Sequence, residues 1–291
     1  MAMQAAMLLV LGLGHTGGAV ARRARGAGWT VAGTSRAPDA PGVIPFAAAG
    51  EAIRAATHLL ITAPPAETGD PVLETHAAAI EAALAAGGLR WVGYVSTTGV
   101  YGDRGGASVD ETTEPAPAQP RSRRRLAAEQ AWRTITTGRV PLDLMRAGGI
   151  YGLGRSALDD LRAGKARRIV QPGHVFTRIH SDDIAHAVLA AMAQDRAPEP
   201  RVLHLVDDEP AESAAVVAYA AALLGMDPPP AIPFEEARAT LSPMALSFWS
   251  ESRRVTNAAT KAALGLAWLY PSYREGLAAI QAEERREGLA Q

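Results

Sequence analysis

Three glycines, Gly12, Gly14 and Gly17, stand at the spacing G-x-G-x-x-G between an apolar run and an alanine-rich one. The run Ala5 to Leu13 reads as a fully buried strand, and Ala19 to Ala27 has the periodicity of a helix; a second strand follows from Trp29 to Ser35. Strand, glycine turn, helix and strand form the context in which that spacing carries meaning. Gly12 permits the tight turn, Gly14 lets the backbone approach a pyrophosphate, and Gly17 lets the helix pack closely on the strand. The helix then turns its free N–H groups and positive end toward the phosphates, with His15 and Thr16 beside them. The stretch predicts a dinucleotide site.

The end of the second strand bears on which dinucleotide. An NAD site places a carboxylate there, about 20 residues past the glycines, to accept from the ribose hydroxyl. Here the chain reads Thr34-Ser35-Arg36, and the next acid, Asp39, comes only after Pro38. The planar fork of Arg36 suits a 2′-phosphate, with a hydrogen bond from Ser35. The expectation is NADP(H) in preference to NAD(H).

Along the chain, strands at Thr57 to Thr62, Trp91 to Ser96 and Leu142 to Arg146 alternate with helices at Val72 to Ala86 and Ser122 to Thr134. Such alternation predicts an α/β fold, a doubly wound parallel sheet with helices on both faces. Ligands bind at the carboxyl ends of its strands, which brings Ala63, Pro64 and Pro65, Ser96 and Thr97, and Gly148 and Ile150 to the binding rim. The second half is less regular. Leu158 to Gly164 reads as a short helix, Ser181 or Asp182 as the cap of a helix to Met192, and Val202 to Val206 as a strand; helices follow at Ala211 to Leu224 and Tyr273 to Glu287.

The 291 residues carry 29 basic and 30 acidic side chains, a balance that offers no argument for nucleic acid or an anionic membrane as partner. No run approaches the roughly 20 apolar residues of a membrane helix, so a soluble cytoplasmic protein acting on a small molecule is the expectation. Cysteine is absent, which removes disulfides, thiol nucleophiles and cysteine metal sites together. Asp182-Asp183 has no histidine at metal-ligand spacing and reads as helix cap and dipole partner. No metal is expected.

Four segments, Val95-Ser96-Thr97-Thr98-Gly99-Val100-Tyr101-Gly102, Arg146 to Gly152, Arg178 to Ala185 and Lys261 to Gly265, resemble the extended short-chain dehydrogenase/reductases of the epimerase/dehydratase-like branch. The resemblance extends over nearly the whole chain. It implies a Rossmann core over residues 1–150, to which 176–208 returns, and a smaller substrate lobe from 151–175 and 209–291. Dimers are that family's habit. Its catalytic set is a Ser or Thr followed by Tyr-x-x-x-Lys on a helix. Thr97 matches the hydroxyl position, but the helix reads Arg121-Ser122-Arg123-Arg124-Arg125-Leu126-Ala127-Ala128-Glu129, so arginines occupy the tyrosine and lysine positions. The chain resembles an atypical subgroup in which both are replaced.

Arginine stays charged at every pH up to about 12 and cannot exchange protons near neutrality. Residues four apart share a helix face, so Arg121 and Arg125 point together toward the nicotinamide side. Arg125 can hold ribose or phosphate as the lysine would, and Arg121 can polarise a carbonyl or hold a carboxylate. The candidates for moving a proton are Tyr101, His180 and the loop acids Asp110, Glu111 and Glu114, each with a structural alternative. Arg178, Phe248 and Trp249 are candidate substrate contacts. The expected activity is an NADP(H)-dependent oxidoreductase for a small, anionic carbonyl or alcohol; a catalytically silent NADP(H)-binding sensor or partner-binding protein is the rival, and a nucleotide-sugar epimerase or dehydratase comes third.

Overall fold

Leu8 and Val10 face one side of the central sheet and Leu9 and Leu11 the other, all four fully buried. This is why the first strand reads as one continuous apolar run: a parallel strand covered on both faces has no solvent side to mark with polar residues. The computed structural model describes residues 6–37, 42–286 and 288; Ala5, Pro38, Asp39 and Glu287, named above, lie outside the described residues.

The first half runs β1 (Met7–Leu11), α1 (His15–Gly26), β2 (Thr30–Ser35), β3 (Val43–Pro45), α2 (Gly50–Ala55), β4 (His58–Ile61), α3 (Pro71–Ala85), β5 (Trp91–Thr97), β6 (Ser108–Val109), α4 (Pro120–Thr136) and β7 (Leu142–Ala147). The second half runs β8 (Gly149–Tyr151), α5 (Ala157–Arg162), β9 (Arg168–Val170), β10 (Arg178–His180), α6 (Ser181–Met192), β11 (Pro200–Leu205), α7 (Ser213–Leu224), β12 (Ala231–Pro233), α8 (Phe234–Ala237), α9 (Pro243–Trp249), β13 (Arg254–Val255), α10 (Ala258–Leu264) and α11 (Tyr273–Arg286). Seven strands form one parallel sheet in the order β11-β7-β5-β4-β1-β2-β3. The fold class is therefore the α/β, Rossmann-type arrangement expected. The order reverses between β1 and β4, and ligands bind above such a switch point.

Val20, Ala21 and Ala24 of α1 and Ile184, Val188 and Ala191 of α6 cover one face, joined by Leu264 and Trp268 from the end of the chain. Ile53, Ile80 and Trp132 from α2, α3 and α4 cover the other. The segment 258–268, placed by the sequence reading in the substrate lobe, thus packs against the core layer. A separate apolar cluster unites α5, α7 and α11 through Leu158, Leu161, Val217, Ala220, Leu277 and Ile280. Among the described residues, no helix is long and apolar enough to cross a membrane.

The cap of α6 differs from expectation. It is His180, whose Nδ1 accepts the Asp182 N–H at 3.1 Å, rather than Ser181 or Asp182. Burial lowers the His180 pKa to about 4, so the ring is neutral and free to accept. Asp183 turns inward and accepts from the Leu269 and Tyr270 N–H groups at 2.6 and 3.2 Å, tying the C-terminal segment to α6.

Candidate active site

Gly12 adopts φ +114°, in the region that favours glycine, and donates its N–H to Thr34 Oγ1 at 3.1 Å. A Cβ at Gly17 would overlap the Gly12 carbonyl oxygen and crowd Val10 Cγ1 at 2.9 Å. These two glycines set the turn and the helix packing. Gly14 differs: a Cβ there meets nothing within 4 Å. It precedes α1 in extended conformation, with no side-chain cap and no acid in the helix's first turn. The positive helix end is therefore left without a side-chain cap or a first-turn acid, a fit for a diphosphate. The His15 Nε2 is buried with no hydrogen-bond partner among the described residues. It lies 3.1 Å from the position a Cβ of Gly152 would take, beside Ser181. Burial, with the charges of Arg155 and Arg22, keeps its pKa below the ordinary histidine value.

At the end of β2, Ser35 Oγ donates to the Ala37 carbonyl at 3.0 Å and accepts from the Ala37 N–H at 3.2 Å, which turns the chain. Arg36 is exposed at this edge. The residues present therefore fit a dinucleotide lying across the sheet's carboxyl rim, held by the glycine turn at its diphosphate and bordered by Arg36 at one end.

The other end opens into a cleft of about 650 Å³ that extends from Thr16 and Thr62 to Phe248 and Trp249. Of the residues singled out from sequence, Thr16, Pro64, Pro65, Ser96, Thr97, Arg121, Arg125, Gly148, Ile150, Arg178, Phe248 and Trp249 all line it. Thr97 Oγ1 accepts the Gly99 N–H at 3.1 Å, so its own proton is available to a ligand. The α4 helix places Arg121 and Arg125 one turn apart on the cleft face. Arg125 Nη1 is anchored on the Tyr94 hydroxyl and the Val95 carbonyl, at 3.1 and 3.0 Å. Arg121 lies over the Phe248 ring, 3.8 Å from its centroid. Burial pulls the Arg121 pKa below the usual arginine value, against the opposing pull of Glu251.

Tyr101 is corrected by the structure. It is fully buried and does not border the cleft. Its hydroxyl sits 2.5 Å from His204 Nε2 and accepts from Arg146 Nη1 at 2.8 Å. Burial raises its pKa, and Arg146 opposes this. A phenol so enclosed braces the core and reaches no substrate. Two of the loop acids are committed elsewhere: Asp110 binds Thr112 and Thr113, and Glu111 accepts from Thr260; Glu114 does not border the cleft. Ser96 borders the cleft, but its hydroxyl donates inward to Glu129 Oε1 at 2.5 Å. Arg178 is held by the Phe176 and Ala211 carbonyls at 2.9 and 3.0 Å.

Sequence reasoning missed Ser122, Arg124, Arg155, Phe176, Glu251 and Arg253, which also line the cleft. Ser122 and Arg124 could have been read off the α4 face, one position after Arg121 and one before Arg125. Nothing local marks Glu251. Its Oε2 accepts from Arg253 Nη1 at 2.8 Å, while Oε1 is buried without a hydrogen-bond partner among the described residues.

No family model matches the chain. A conserved protein of unknown function from Silicibacter pomeroyi is 43% identical, covers 96% of this chain over 99% of its own, and superposes with a TM-score of 0.82. The two belong to one family. The human epimerase family protein SDR39U1, solved with NADPH, is 19% identical over 95% of this chain and 99% of its own, at a TM-score of 0.76. The chain has the extended short-chain dehydrogenase/reductase fold. Its structural neighbours include epimerase/dehydratase-like proteins, among them MoeE5 in complex with UDP-glucuronic acid and NAD (19% identical, 96% and 99% covered, TM-score 0.74). A curated relative, the 3-diazoavenalumate denitrifying reductase of a Streptomyces species, is 29% identical over 76% of either chain.

Proposed function

We propose that this chain is an NADP(H)-dependent oxidoreductase acting on a small anionic carbonyl or alcohol. The observation that carries the reading is the pair of guanidinium groups, Arg121 and Arg125, bordering the cleft beside the Thr97 hydroxyl. When bound, the reduced nicotinamide supplies a hydride. Thr97 offers its proton to the substrate oxygen as a hydrogen bond, Arg121 stabilises negative charge there or on a neighbouring carboxylate, and water supplies the proton that converts the resulting alkoxide to the alcohol. Arg125, anchored by one nitrogen, would offer its remaining N–H groups to the ribose. The reductase name of the Streptomyces relative and the NADPH of the human neighbour support this reading. Preference for the 2′-phosphate rests on Arg36 and on the lack of an acid at Thr34-Ser35-Arg36.

The burial of Tyr101 favours a second reading, a silent NADP(H)-binding sensor, because that enclosed phenol is unavailable for proton exchange. Epimerase chemistry ranks below both, since arginine occupies the position of its tyrosine base. A titration with NADPH, paired with NADPH oxidation across a panel of carbonyl acids, separates them. The enzyme reading expects turnover that Arg121→Ala abolishes at unchanged cofactor affinity. Tight NADPH binding with no turnover on any acid supports the sensor. Arg36→Asp is expected to weaken NADPH by tenfold or more while leaving NADH nearly unchanged, and equal effects on both would sink the 2′-phosphate assignment.

A further inference from the structure

Two charged groups of opposite sign border the outer cleft, and each lacks a hydrogen-bond partner for the atoms it turns inward. Arg121 is half-buried, contacts Phe248 through its face, and has no hydrogen-bond acceptor among the described residues. Glu251 is 7% exposed, and only its Oε2 is satisfied, by Arg253. The two are close enough to interact electrostatically, yet they form no ion pair with each other. A desolvated guanidinium requires an anion, and a buried carboxylate oxygen requires a donor. A ligand carrying both would answer each.

Aromatic side chains line the same part of the cleft. Trp249 stacks on His174 and Phe234, with ring centroids at 5.4 and 5.2 Å, and meets Phe176 edge-on at 5.0 Å. An indole held by three rings is a rigid surface. The Phe248 ring is 50% exposed beside it, although Arg121 covers one face. Apolar rings at a cleft mouth are suited to stacking another ring. The whole cleft, about 650 Å³, is sized for one drug-like ligand. Its inner part borders Thr16, Thr62 and Thr97 at the cofactor rim.

We infer that the outer cleft recognises a planar aryl carboxylate bearing a ring hydroxyl or amine, with the carboxylate on Arg121, the ring against Phe248 and Trp249, and the donor on Glu251 Oε1. This rests on the oxidoreductase reading and names the substrate class of the same site.

The test is calorimetric titration of the full chain saturated with NADPH, using 4-hydroxybenzoate and 4-hydroxycinnamate as probes of two lengths. The comparison ligands are the corresponding methyl esters, the acids without the hydroxyl, and the saturated cyclohexyl acids. At least one hydroxy acid is expected to bind about tenfold or more tightly than its ester and than its des-hydroxy form, as suits hydrogen bonds to charged groups. Arg121→Leu is expected to abolish the preference for acid over ester, and Glu251→Ala the preference for the hydroxyl. Phe248→Ala weakens all aryl acids while the NADPH affinity stays unchanged. Equal binding of acid, ester and cyclohexyl acid overturns the inference, as does UDP-glucose binding where neither hydroxy acid does. Should Arg121→Leu prove unfolded by thermal melting, the ester comparison on the unaltered chain decides alone. Failure to bind NADPH at all sinks the oxidoreductase reading instead, and titration of the probes without NADPH still reads the aryl acid site.

Discussion

Arg146 Nη2 and Glu129 Oε2 lie 2.7 Å apart, with the two side chains 3% and 1% exposed. Arg146 also donates its Nε to Glu129 Oε1 at 3.1 Å, making the pair bidentate. It joins β7 to α4 directly behind the cleft and fixes the hydroxyls of Ser96 and Tyr101, one on each partner. Removing one member leaves the other charge buried and unpaired. Glu129→Ala is therefore expected to cost about 3–5 kcal/mol of stability, read by urea denaturation.

Tyr101→Phe deletes a hydroxyl that accepts from Arg146 and sits against His204. The expected loss is about 1–3 kcal/mol from the polar atoms left without a partner. NADPH affinity and any turnover are expected to persist once the variant is folded. A variant as stable as the parent but without activity would return Tyr101 to the chemistry.

The glycine turn separates folding from binding. Gly17→Ala drives a Cβ into the Gly12 carbonyl and Val10, backbone and core that cannot yield cheaply, so melting temperature and cofactor binding fall together. Gly14→Ala meets no protein atom within 4 Å. Its melting temperature is expected to stay close to the parent's, while NADPH binding weakens because the methyl occupies the side from which the diphosphate approaches. Titration and thermal melting of both variants check the contrast.

Asp207 is 2% exposed, and neither carboxylate oxygen has a hydrogen-bond partner among the described residues. Burial pushes its pKa from 3.8 up to about 8, with the Arg178 charge pulling the other way. An acid whose pKa is higher folded than unfolded holds more protons in the native state, so its contribution to stability falls as pH rises from about 4 to about 8. Asp183, raised to about 7 by burial, acts in the same direction. His58 and His180, both lowered to about 4, oppose it below pH 6.5. The clean readout is the difference between parent and Asp207→Asn in urea denaturation. The variant is expected to gain stability relative to the parent as pH moves from 5 to 9, and a constant difference would show that the carboxyl does not titrate in that window.

Short-range patterns carried the fold. Parallel strands buried on both faces leave apolar runs, glycines mark the turn, and alanine-rich helices separate the strands, so the doubly wound sheet was written in local spacing. The same holds for Arg121 and Arg125, because a helix brings residues four apart onto one face whatever surrounds it. Tyr101, Glu251 and Phe248 were decided elsewhere. The Tyr101 phenol is enclosed by Arg146 and His204 from other strands, and Glu251 and Phe248 reach the arginines only because the C-terminal segment folds back over α4. Burial and pairing between distant segments depend on which surfaces meet, and no periodicity within one segment records its partner in another.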